Sequence, residues 1–503
     1  MNYFIVNNLG SRITGIEKAV INRLKLFDTY QMQAKMITLS WNSCLHSNAK
    51  IFGVQKKIFS IYDYFQEAVN VQIHTVRDWI EYWAYEHQYE IKYIPNTNDI
   101  RVFSNGNRII YASFYDKEYK QVDYINYFDT KNNKVKREIY DSRGFLSRVI
   151  YLTSHQKMLH ESFLSPKGEV KIEIFYNPET KDDEITRILL HNYHNRDYMF
   201  NTKNEWIAFF YESLYQDGDV YFSDKTAISS PPFAQVNPKI PVLSFLHSTH
   251  VKDNDDIEYS DTKNIYHSVF SNLQRFSGII VSTKQQKLDI DKRIKSSIPV
   301  FNIPVGYTKD LNIIEEQALP SGSIKIASIA RYSSEKQLDH QIRLLSKLKE
   351  DFKDIELHFF GYGSELTKLK ELAKSLNLEE NVKFRGFIPN LTHEMRTSHL
   401  SLITSNMEGF SLALLESLSN GLPAISYDIA YGPSELIIDG LNGFLVPKND
   451  EQLLYEKVKY FLQNPELQKS MRFNSVKEAQ RYAESEVIKQ WQQLLNKIHE
   501  KHK

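Results

Sequence analysis

Two glutamates, Glu408 and Glu416, stand with seven residues between them in the stretch MEGFSLALLES. Glu408 follows a predicted strand and lies in the loop at its carboxyl end, where open α/β sheets bind ligands. Glu416 falls among leucines in the next predicted helix, where a buried carboxylate is costly unless it is hydrogen-bonded. Two adjacent hydroxyls of a sugar would donate to its two oxygens, so this spacing predicts a sugar site. The alternative, a solvated loop acid and a misfit on a helix edge, stays open on spacing alone.

The residues between the two glutamates predict a phosphate site. Gly409 provides a turn, and Ser411 can cap a helix that ends at Gly421. The backbone N–H groups at Ser411 and Leu412 lie at the positive end of that helix, which attracts anions.

A basic pair, Arg331 and Lys336, occurs in IARYSSEKQLDH. Arg331 ends a predicted strand, and Lys336 falls in the predicted first turn of the next helix, where a cation is unfavourable unless an anion binds. Together with the helix terminus they would hold a diphosphate, and a guanidinium can bind it through two parallel hydrogen bonds. Ordinary surface charges are the alternative.

Two further loops are candidates. In NNLGSRITG, Gly15 leaves room for a ligand to approach the backbone before a helix that is predicted from Ile16, although a plain turn is the alternative. In FLHSTH, His247 stands at a strand end and His250 follows three residues later. A neutral imidazole that binds a sugar hydroxyl is favoured over zinc, because no cysteine, third histidine or HExxH motif completes a ligand set. The sequence does not decide between the two histidines, and one of them can be purely structural.

The elements that must position these residues form an α/β pattern with an interruption. The chain opens with a strand (YFIVN), a helix (IEKAVINRLKLF) and a second strand (AKMITLS), which begin a parallel α/β unit. From about residue 88 to 195, short aromatic and β-branched runs separated by turns such as Asn105-Gly106 predict an antiparallel β-meander. Beyond residue 324, six short strands alternate with helices and predict a second doubly wound α/β domain. The predicted segments are residues 1–85, 86–195, 196–310, 311–481 and a terminal helix at 482–503.

Bulk composition narrows the class of protein. The 62 basic and 62 acidic side chains among 503 residues cancel, so no overall charge draws the chain to nucleic acid or to a membrane. The single Cys44 excludes an internal disulfide framework. The N-terminus lacks the pattern of a signal peptide, and no apolar run approaches the length of a membrane span. We therefore expect a cytoplasmic protein with at most peripheral membrane association.

The stretch EGFSLALLE resembles the E-x7-E signature of retaining glycosyltransferases of the GT-B fold. Arg331 and Lys336, as R-x4-K, and the later segment YGPSELIIDGLNGFLVP resemble the same family. The resemblance implies an α/β fold in which two Rossmann-like domains face a cleft, the C-terminal domain holds the nucleotide, and the terminal helix crosses back. The inserted meander is similar to that of bacterial enzymes that glycosylate serine-rich adhesins and wall teichoic acids. GIEKAVINRLKLF, SWN and IYDYFQ most resemble the staphylococcal N-acetylglucosaminyltransferases of serine-aspartate repeat proteins.

The resemblance also implies roles for individual residues. Glu416 would accept from the ribose hydroxyls of UDP, Glu408 would position the donor sugar, and Arg331 with Lys336 would neutralise the diphosphate without a metal or a cofactor. The other implied donor contacts are the backbone at Phe410, Ser411 and Leu412, the region of Gly386 and Phe387 beside the uracil, Gly15, and either His247 or His250 against the sugar. The expected donor is UDP-GlcNAc, and retention would follow from front-face attack by the acceptor.

The central part of the predicted meander, residues 101–170, carries a small positive excess. Residues 101–170 hold twelve Lys or Arg and eight Asp or Glu, which gives 12 − 8 = +4. This excess fits an extended acidic acceptor such as a serine-aspartate repeat, but also a polyol-phosphate polymer or a merely solvated face. Exposed meander edges would suit a homo-oligomer or an added peptide strand. The alternative functions are a wall teichoic acid α-glycosyltransferase and a non-catalytic partner subunit of an adhesin glycosyltransferase.

Overall fold

The computed structural model describes residues 1–71, 77–180, 183–314 and 318–502. The chain divides into two compact units. The first unit comprises Met1–Ile13 and Gln33–Ile240, and the second comprises Thr14–Met32 and Pro241–Lys503. Within the described ranges, no helix combines the length and the apolar character needed to cross a membrane.

The α/β part of the first unit is built on parallel strands. In spatial order they are Ile58–Ser60, Ala34–Thr38, Asn2–Val6 and Val220–Ser223. These strands are short apolar runs and are almost wholly buried, as expected for a parallel sheet covered on both faces. The α-helices of this unit are Leu45–Ile51, Ile61–Phe65, Trp79–Glu81, Lys203–Leu214 and Thr226–Ser229.

An antiparallel sheet of ten strands forms the rest of the first unit, and its spatial order follows the chain. The strands are Glu90–Tyr93, Asp99–Ser104, Asn107–Phe114, Val122–Phe128, Lys134–Tyr140, Leu146–Leu152, Met158–Leu164, Val170–Asn177, Glu184–Tyr193 and Arg196–Phe200. Asn105 and Gly106 form a two-residue hairpin turn with φ of 48° and 75°, the positive values that such a turn requires. The predicted antiparallel meander is confirmed.

A buried charge network joins the meander to the parallel sheet of the same unit. Arg143, in a meander turn, donates to Asp63 at 2.6 Å, to Asp141 at 2.7 Å and to the carbonyl of Ala68 at 2.6 Å. Nε2 of His46 lies 3.2 Å from Asp63. Burial alone would raise the pKa of Asp63, but the hydrogen bond from His46 and the charge of Arg143 outweigh it and lower the pKa to about 2. The network therefore holds its charged groups fully paired.

The second unit contains two groups of parallel strands. One group is Val242–Phe245, Gly278–Val281 and Val300–Asn302. The other is a six-stranded sheet in the spatial order Val382–Gly386, Ile355–Phe360, Ile324–Ile329, Leu400–Ile403, Ala424–Asp428 and Gly443–Pro447. The strand order reverses between the neighbouring strands Ile324–Ile329 and Leu400–Ile403, which makes this the topological switch point of the sheet. In open α/β sheets, ligands bind at the switch point. The prediction of a doubly wound domain with six strands is confirmed.

Helices flank both groups of strands in the second unit. The α-helices are Gly15–Thr29, His267–Phe270, Lys284–Arg293, Leu338–Asp351, Leu366–Ser375, Thr392–Arg396, Leu412–Ser419, Pro433–Leu436, Glu451–Gln463, Pro465–Ala479 and Glu484–Lys501. The helix Glu484–Lys501 packs against the helix Gly15–Thr29, where the ring centroids of Trp491 and Phe27 are 5.4 Å apart. Arg23 of the first helix lies over the ring of Phe245 at 4.1 Å.

Candidate active site

Glu408 lies at the switch point, in the loop after Leu400–Ile403, and one of its oxygens is held firmly. Oε1 accepts from Nζ of Lys336 at 2.7 Å and from Oγ of Ser405 at 2.9 Å. The side chains of Lys336 and Glu408 are only 17% and 16% exposed, so water screens the pair weakly. Among the described residues, no donor reaches Oε2. The carboxylate is therefore oriented through one oxygen while the other can accept from a ligand.

The position of Lys336 differs from the prediction. It does not begin the α-helix but closes a 3-10 turn, Ser334–Lys336, and the helix starts at Leu338. Gln337 separates the two with a left-handed φ of 46°. The hydroxyl of Thr404 donates to the carbonyls of Lys336 and Gln337, both at 3.0 Å. The neighbouring strand end therefore positions Lys336, which local propensity does not reveal.

Arg331 lies two residues beyond the strand Ile324–Ile329, so the prediction that it ends the strand is wrong. Its guanidinium is 59% exposed and pairs with Glu335. Burial acts to raise the pKa of Glu335, but the hydrogen bonding and the positive charge around its carboxylate, including Arg331, outweigh burial and lower the pKa. The backbone N–H of Asn406 donates to the carbonyl of Glu335 at 2.9 Å, which ties the Arg331 loop to the Glu408 loop.

The prediction that Glu416 is buried among leucines is wrong. The helix Leu412–Ser419 buries Leu414, Leu415 and Leu418, whereas the Glu416 side chain is 30% exposed. Nζ of Lys18 lies 2.6 Å from Oε1 and 2.8 Å from Oε2 of Glu416. Sequence reasoning missed Lys18. The signal was present, because Lys18 is a cation in the first turn of a helix, as Lys336 was predicted to be.

Ser411 precedes the helix Leu412–Ser419 as predicted, but its side chain makes no capping hydrogen bond. Ser411 has a left-handed φ of 71°, and its carbonyl accepts from the N–H groups of Leu414 and Leu415 at 3.1 and 3.2 Å. The first N–H groups of a helix have no partner inside it. The start of this helix, beside Phe410 and Leu412, thus offers donors to an anion.

Two glycines allow three loops to meet around Glu408. A Cβ on Gly409 would lie 2.1 Å from the carbonyl oxygen of His247. A Cβ on Gly432, which has a φ of 98°, would lie 2.8 Å from the carbonyl oxygen of Phe410. A side chain at either position would push these backbones apart. The sequence indicated a turn at Gly409 but not this close approach.

The two candidate histidines have different surroundings. His250 is fully buried, its Nδ1 lies 3.5 Å from the hydroxyl of Tyr431, and its Nε2 has no partner among the described residues. Burial, with the charges of Arg293 and Lys263, lowers the pKa of His250 to about 3. The ring of His247 is partly exposed and stacks on Phe245 at 5.0 Å with an interplanar angle of 8°.

A polar cavity of about 440 Å³ lies beside Glu408. It is lined by Thr249, Asn254, Asp255, Asn406, Met407, Glu408, Asp428, Ile429, Ala430, Tyr431, Ser434 and Lys448. Lys448 pairs with Asp255 at 2.7 Å, which neutralises the single cation of the lining. Oδ1 of Asn254 is buried without a hydrogen-bond donor among the described residues. Carboxylates, amides and hydroxyls beside an aromatic ring suit a neutral ligand that is rich in hydroxyls.

The remaining predicted site residues are Gly386, Phe387 and Gly15. Gly386 ends the strand Val382–Gly386 with a φ of 73°, and its carbonyl accepts from Gly361 at 2.9 Å. Phe387 is 37% exposed, and its ring meets that of Tyr362 at 6.2 Å. Gly386 ends the outermost strand on the Arg331 side of the sheet, and Phe387 directly follows that strand. Gly15 is the first residue of its helix, one earlier than predicted, and no atom lies within 4 Å of the position of an added Cβ.

In the described ranges, no group of three or more histidine, cysteine, aspartate or glutamate side chains is arranged to hold a metal ion.

The sequence is similar to known glycosyltransferases. Residues 310–478 match the family described as glycosyl transferases group 1. The chain is 25% identical over 519 residues to poly(glycerol-phosphate) alpha-glucosyltransferase of Bacillus subtilis strain 168, covering 99% of this chain and 75% of that protein. It is 24% identical over 522 residues to the GtfA subunit of the UDP-N-acetylglucosamine–peptide N-acetylglucosaminyltransferase of Streptococcus pneumoniae serotype 4, covering 99% of both chains.

The fold is also shared along the whole chain with a solved structure. The crystal structure of the pneumococcal O-GlcNAc transferase GtfA in complex with UDP and GlcNAc matches with a TM-score of 0.86 and 19% identity, covering 99% of this chain and 98% of that chain. The prediction of an α/β protein with the GT-B fold is confirmed. The chain is a glycosyltransferase, and its match to the glycosyl transferases group 1 family covers residues 310–478.

Proposed function

We propose that this enzyme transfers N-acetylglucosamine from UDP-GlcNAc to an acceptor hydroxyl with retention of configuration. The observation that carries the proposal is Glu408, whose Oε1 is fixed by Lys336 and Ser405 while Oε2 is available beside a polar cavity. A cation, an oriented carboxylate and a helix N-terminus thus occur together at the switch point of the sheet.

The diphosphate of the donor binds to Lys336, Arg331 and the start of the helix Leu412–Ser419. Charge on the leaving phosphate grows as the glycosidic bond breaks, so cations held in place stabilise the transition state more than the ground state. Support comes from the position of Lys336, which Thr404 holds through two backbone carbonyls. No metal ion or cofactor is needed for this step.

The nucleoside lies on the Arg331 side of the site. Glu416 accepts from the ribose hydroxyls, and the uracil binds near Gly386 and Phe387. Gly15, with open space beside its Cα, lets the donor approach the start of its helix.

The donor sugar is bound by Glu408 Oε2 and by polar groups of the neighbouring cavity. We assign the sugar-facing histidine to His247, because His250 is fully buried whereas His247 is partly exposed. In front-face attack, the acceptor oxygen bonds to the anomeric carbon as the bond to UDP breaks. The departing phosphate oxygen takes the acceptor proton. Glu408 orients the sugar and forms no covalent bond.

The acceptor in this proposal is a serine hydroxyl of an extended, acidic serine-aspartate repeat protein. The positive excess of residues 101–170 supports it, and Lys117, Lys131 and Lys167 are exposed there. Arg143 is buried in its ion pairs, so only part of the excess can meet an acceptor. The similarity to a GtfA subunit that acts on peptide also supports a protein acceptor.

A second candidate acceptor is a polyol-phosphate polymer of the wall teichoic acid type. The similarity to a poly(glycerol-phosphate) alpha-glucosyltransferase favours it. The exposed lysines of residues 101–170 would bind its phosphodiesters, so the two acceptors differ in the nucleophile and not in the donor site.

The test is the intact mass of each acceptor after incubation with the enzyme, UDP-GlcNAc or UDP-glucose, and EDTA. The acceptors are a serine-aspartate repeat peptide, a glycerol-phosphate polymer and a ribitol-phosphate polymer. We expect N-acetylhexosamine on the peptide, and about 10²–10³-fold slower transfer with Lys336→Ala. If only a polymer is modified, the acceptor is of the wall teichoic acid type and not a serine-aspartate repeat protein. Absence of both transfer and donor hydrolysis would contradict the proposal and favour a non-catalytic partner subunit.

A further inference from the structure

Lys18 engages both oxygens of Glu416. Its Nζ lies 2.6 Å from Oε1 and 2.8 Å from Oε2, and the two residues are 398 positions apart in the chain. The side chains are 38% and 30% exposed, so a ligand can reach both. A surface ion pair of this kind contributes only about 0–1 kcal/mol to folding, so stability alone is a weak reason for it.

The ribose of a nucleotide needs the same two oxygens. Two hydroxyls that donate to Glu416 would compete with the Lys18 ammonium, because Nζ already contacts both oxygens of the carboxylate. The ammonium must then leave or share the carboxylate. Nucleotide binding and the Lys18 pair are therefore coupled.

A second partner for Lys18 lies close by. Glu416 stands four residues after Leu412, so the helix rises by about 6 Å between them. A lysine has a flexible four-carbon stem that can follow an anion over such a distance. A phosphate at the start of Leu412–Ser419 would thus lie within reach of Nζ, and it carries more charge than the carboxylate.

We propose that Lys18 is a donor-binding residue that exchanges Glu416 for a phosphate oxygen when the nucleotide binds. The inference deepens the proposed function and rests on its assignment of ribose to Glu416. Because Lys18 belongs to Gly15–Thr29, the exchange couples that helix to the nucleotide. The helix in turn packs on the terminal helix through Phe27 and Trp491.

Calorimetric titration of Lys18→Met with uridine and with UDP tests the exchange, because uridine has the ribose without the phosphates. We expect UDP to bind about tenfold more weakly than to the wild type, since a charge-assisted contact is lost. Uridine should bind as tightly or more tightly, since its competitor is gone. Lys18→Arg should restore UDP binding, and Lys25→Met, at an exposed position on the same helix, should change neither affinity.

Other outcomes overturn the proposal in recognisable ways. If both ligands bind to Lys18→Met as tightly as to the wild type, or more tightly, then Lys18 only competes with the ribose for Glu416 and does not bind a phosphate. Equal weakening of both ligands would make its role structural. If Glu416→Gln leaves uridine affinity unchanged, the ribose assignment itself fails, and the exchange fails with it. If Lys18→Met weakens the binding of UDP but not of uridine, and Glu416→Gln weakens the binding of uridine, the ribose assignment and the exchange are both supported.

Discussion

Each unit contains a cluster of oppositely charged side chains, and the two clusters differ in how completely their charged groups are paired. In the first unit, Arg143, Asp63 and Asp141 have side chains that are 10%, 6% and 5% exposed. In the second unit, Lys336 and Glu408 are somewhat more open, at 17% and 16%. Arg143 donates to two carboxylates and a carbonyl, whereas Glu408 keeps Oε2 without a donor among the described residues.

The difference in pairing indicates a difference in role. A buried charge network in which every group is paired cannot accept a ligand without breaking, and so it joins the meander to the parallel sheet. A partly exposed pair with one spare acceptor loses little when a ligand arrives. Substitutions in either cluster test this difference in role.

The largest expected effect is on stability in the first unit. Arg143→Met should lower the free energy of unfolding by about 3–5 kcal/mol, because it leaves Asp63 and Asp141 buried without their cation. Chemical denaturation measures this loss. Arg101→Met, at an exposed meander position, should change stability by less than about 0.5 kcal/mol. Equal stabilities of the two variants would show that the network is not structural.

The next effect is on catalysis in the second unit. Lys336→Ala should reduce turnover by about 10²–10³-fold, because a group that stabilises the leaving phosphate is removed. Its free energy of unfolding should fall by less than that of Arg143→Met, because Glu408 keeps its hydrogen bond from Ser405 and is more exposed than Asp63 and Asp141. Steady-state turnover and denaturation measure the two effects, with Lys370→Ala at an exposed helix position as the control. Turnover like that of the wild type would remove the diphosphate assignment.

Acid should weaken the first cluster over a defined pH range. The pKa of Asp63 is about 2 in the folded chain, below its ordinary value of 3.8, so its contribution is fully present above pH 4. As pH falls from 4 to 2, the unfolded chain binds a proton first, and about 2 kcal/mol of stability is lost. Unfolding free energies across this range, compared with those of Asp63→Asn, measure the loss. A variant that shows the same decline would contradict the assignment.

The smallest effect concerns His250, a buried group of the second unit that is incompletely paired. Its pKa of about 3 lies below the ordinary 6.5, so protonation favours the unfolded chain once pH falls below 6.5. Between pH 7 and 5.5 the protein should lose about 1 kcal/mol of stability to this group. His250→Gln should lack that part of the decline in denaturation experiments at the two pH values. Parallel declines in both proteins would show that folding does not lower the pKa of His250.

Local patterns predicted the parts of the fold that depend on local physics. The alternation of short apolar runs with helices predicted the six strands of the second unit, because each run must be buried between helices. Asn105 and Gly106 predicted a hairpin, because these residues tolerate positive φ. The roles of Glu408 and Glu416 came from a resemblance and remain predictions, whereas their spacing alone indicated where a site would be.

The sequence by itself determined the strands, the turns and the loop at a strand end that carries Glu408. Only the tertiary structure decided that Glu416 pairs with Lys18, that Gly409 touches the backbone of His247, and that His250 is buried. The physical reason is distance along the chain. Periodicity and turn chemistry act over a few residues, whereas the partner of a charge or the neighbour of a glycine is set by packing between segments that are hundreds of residues apart.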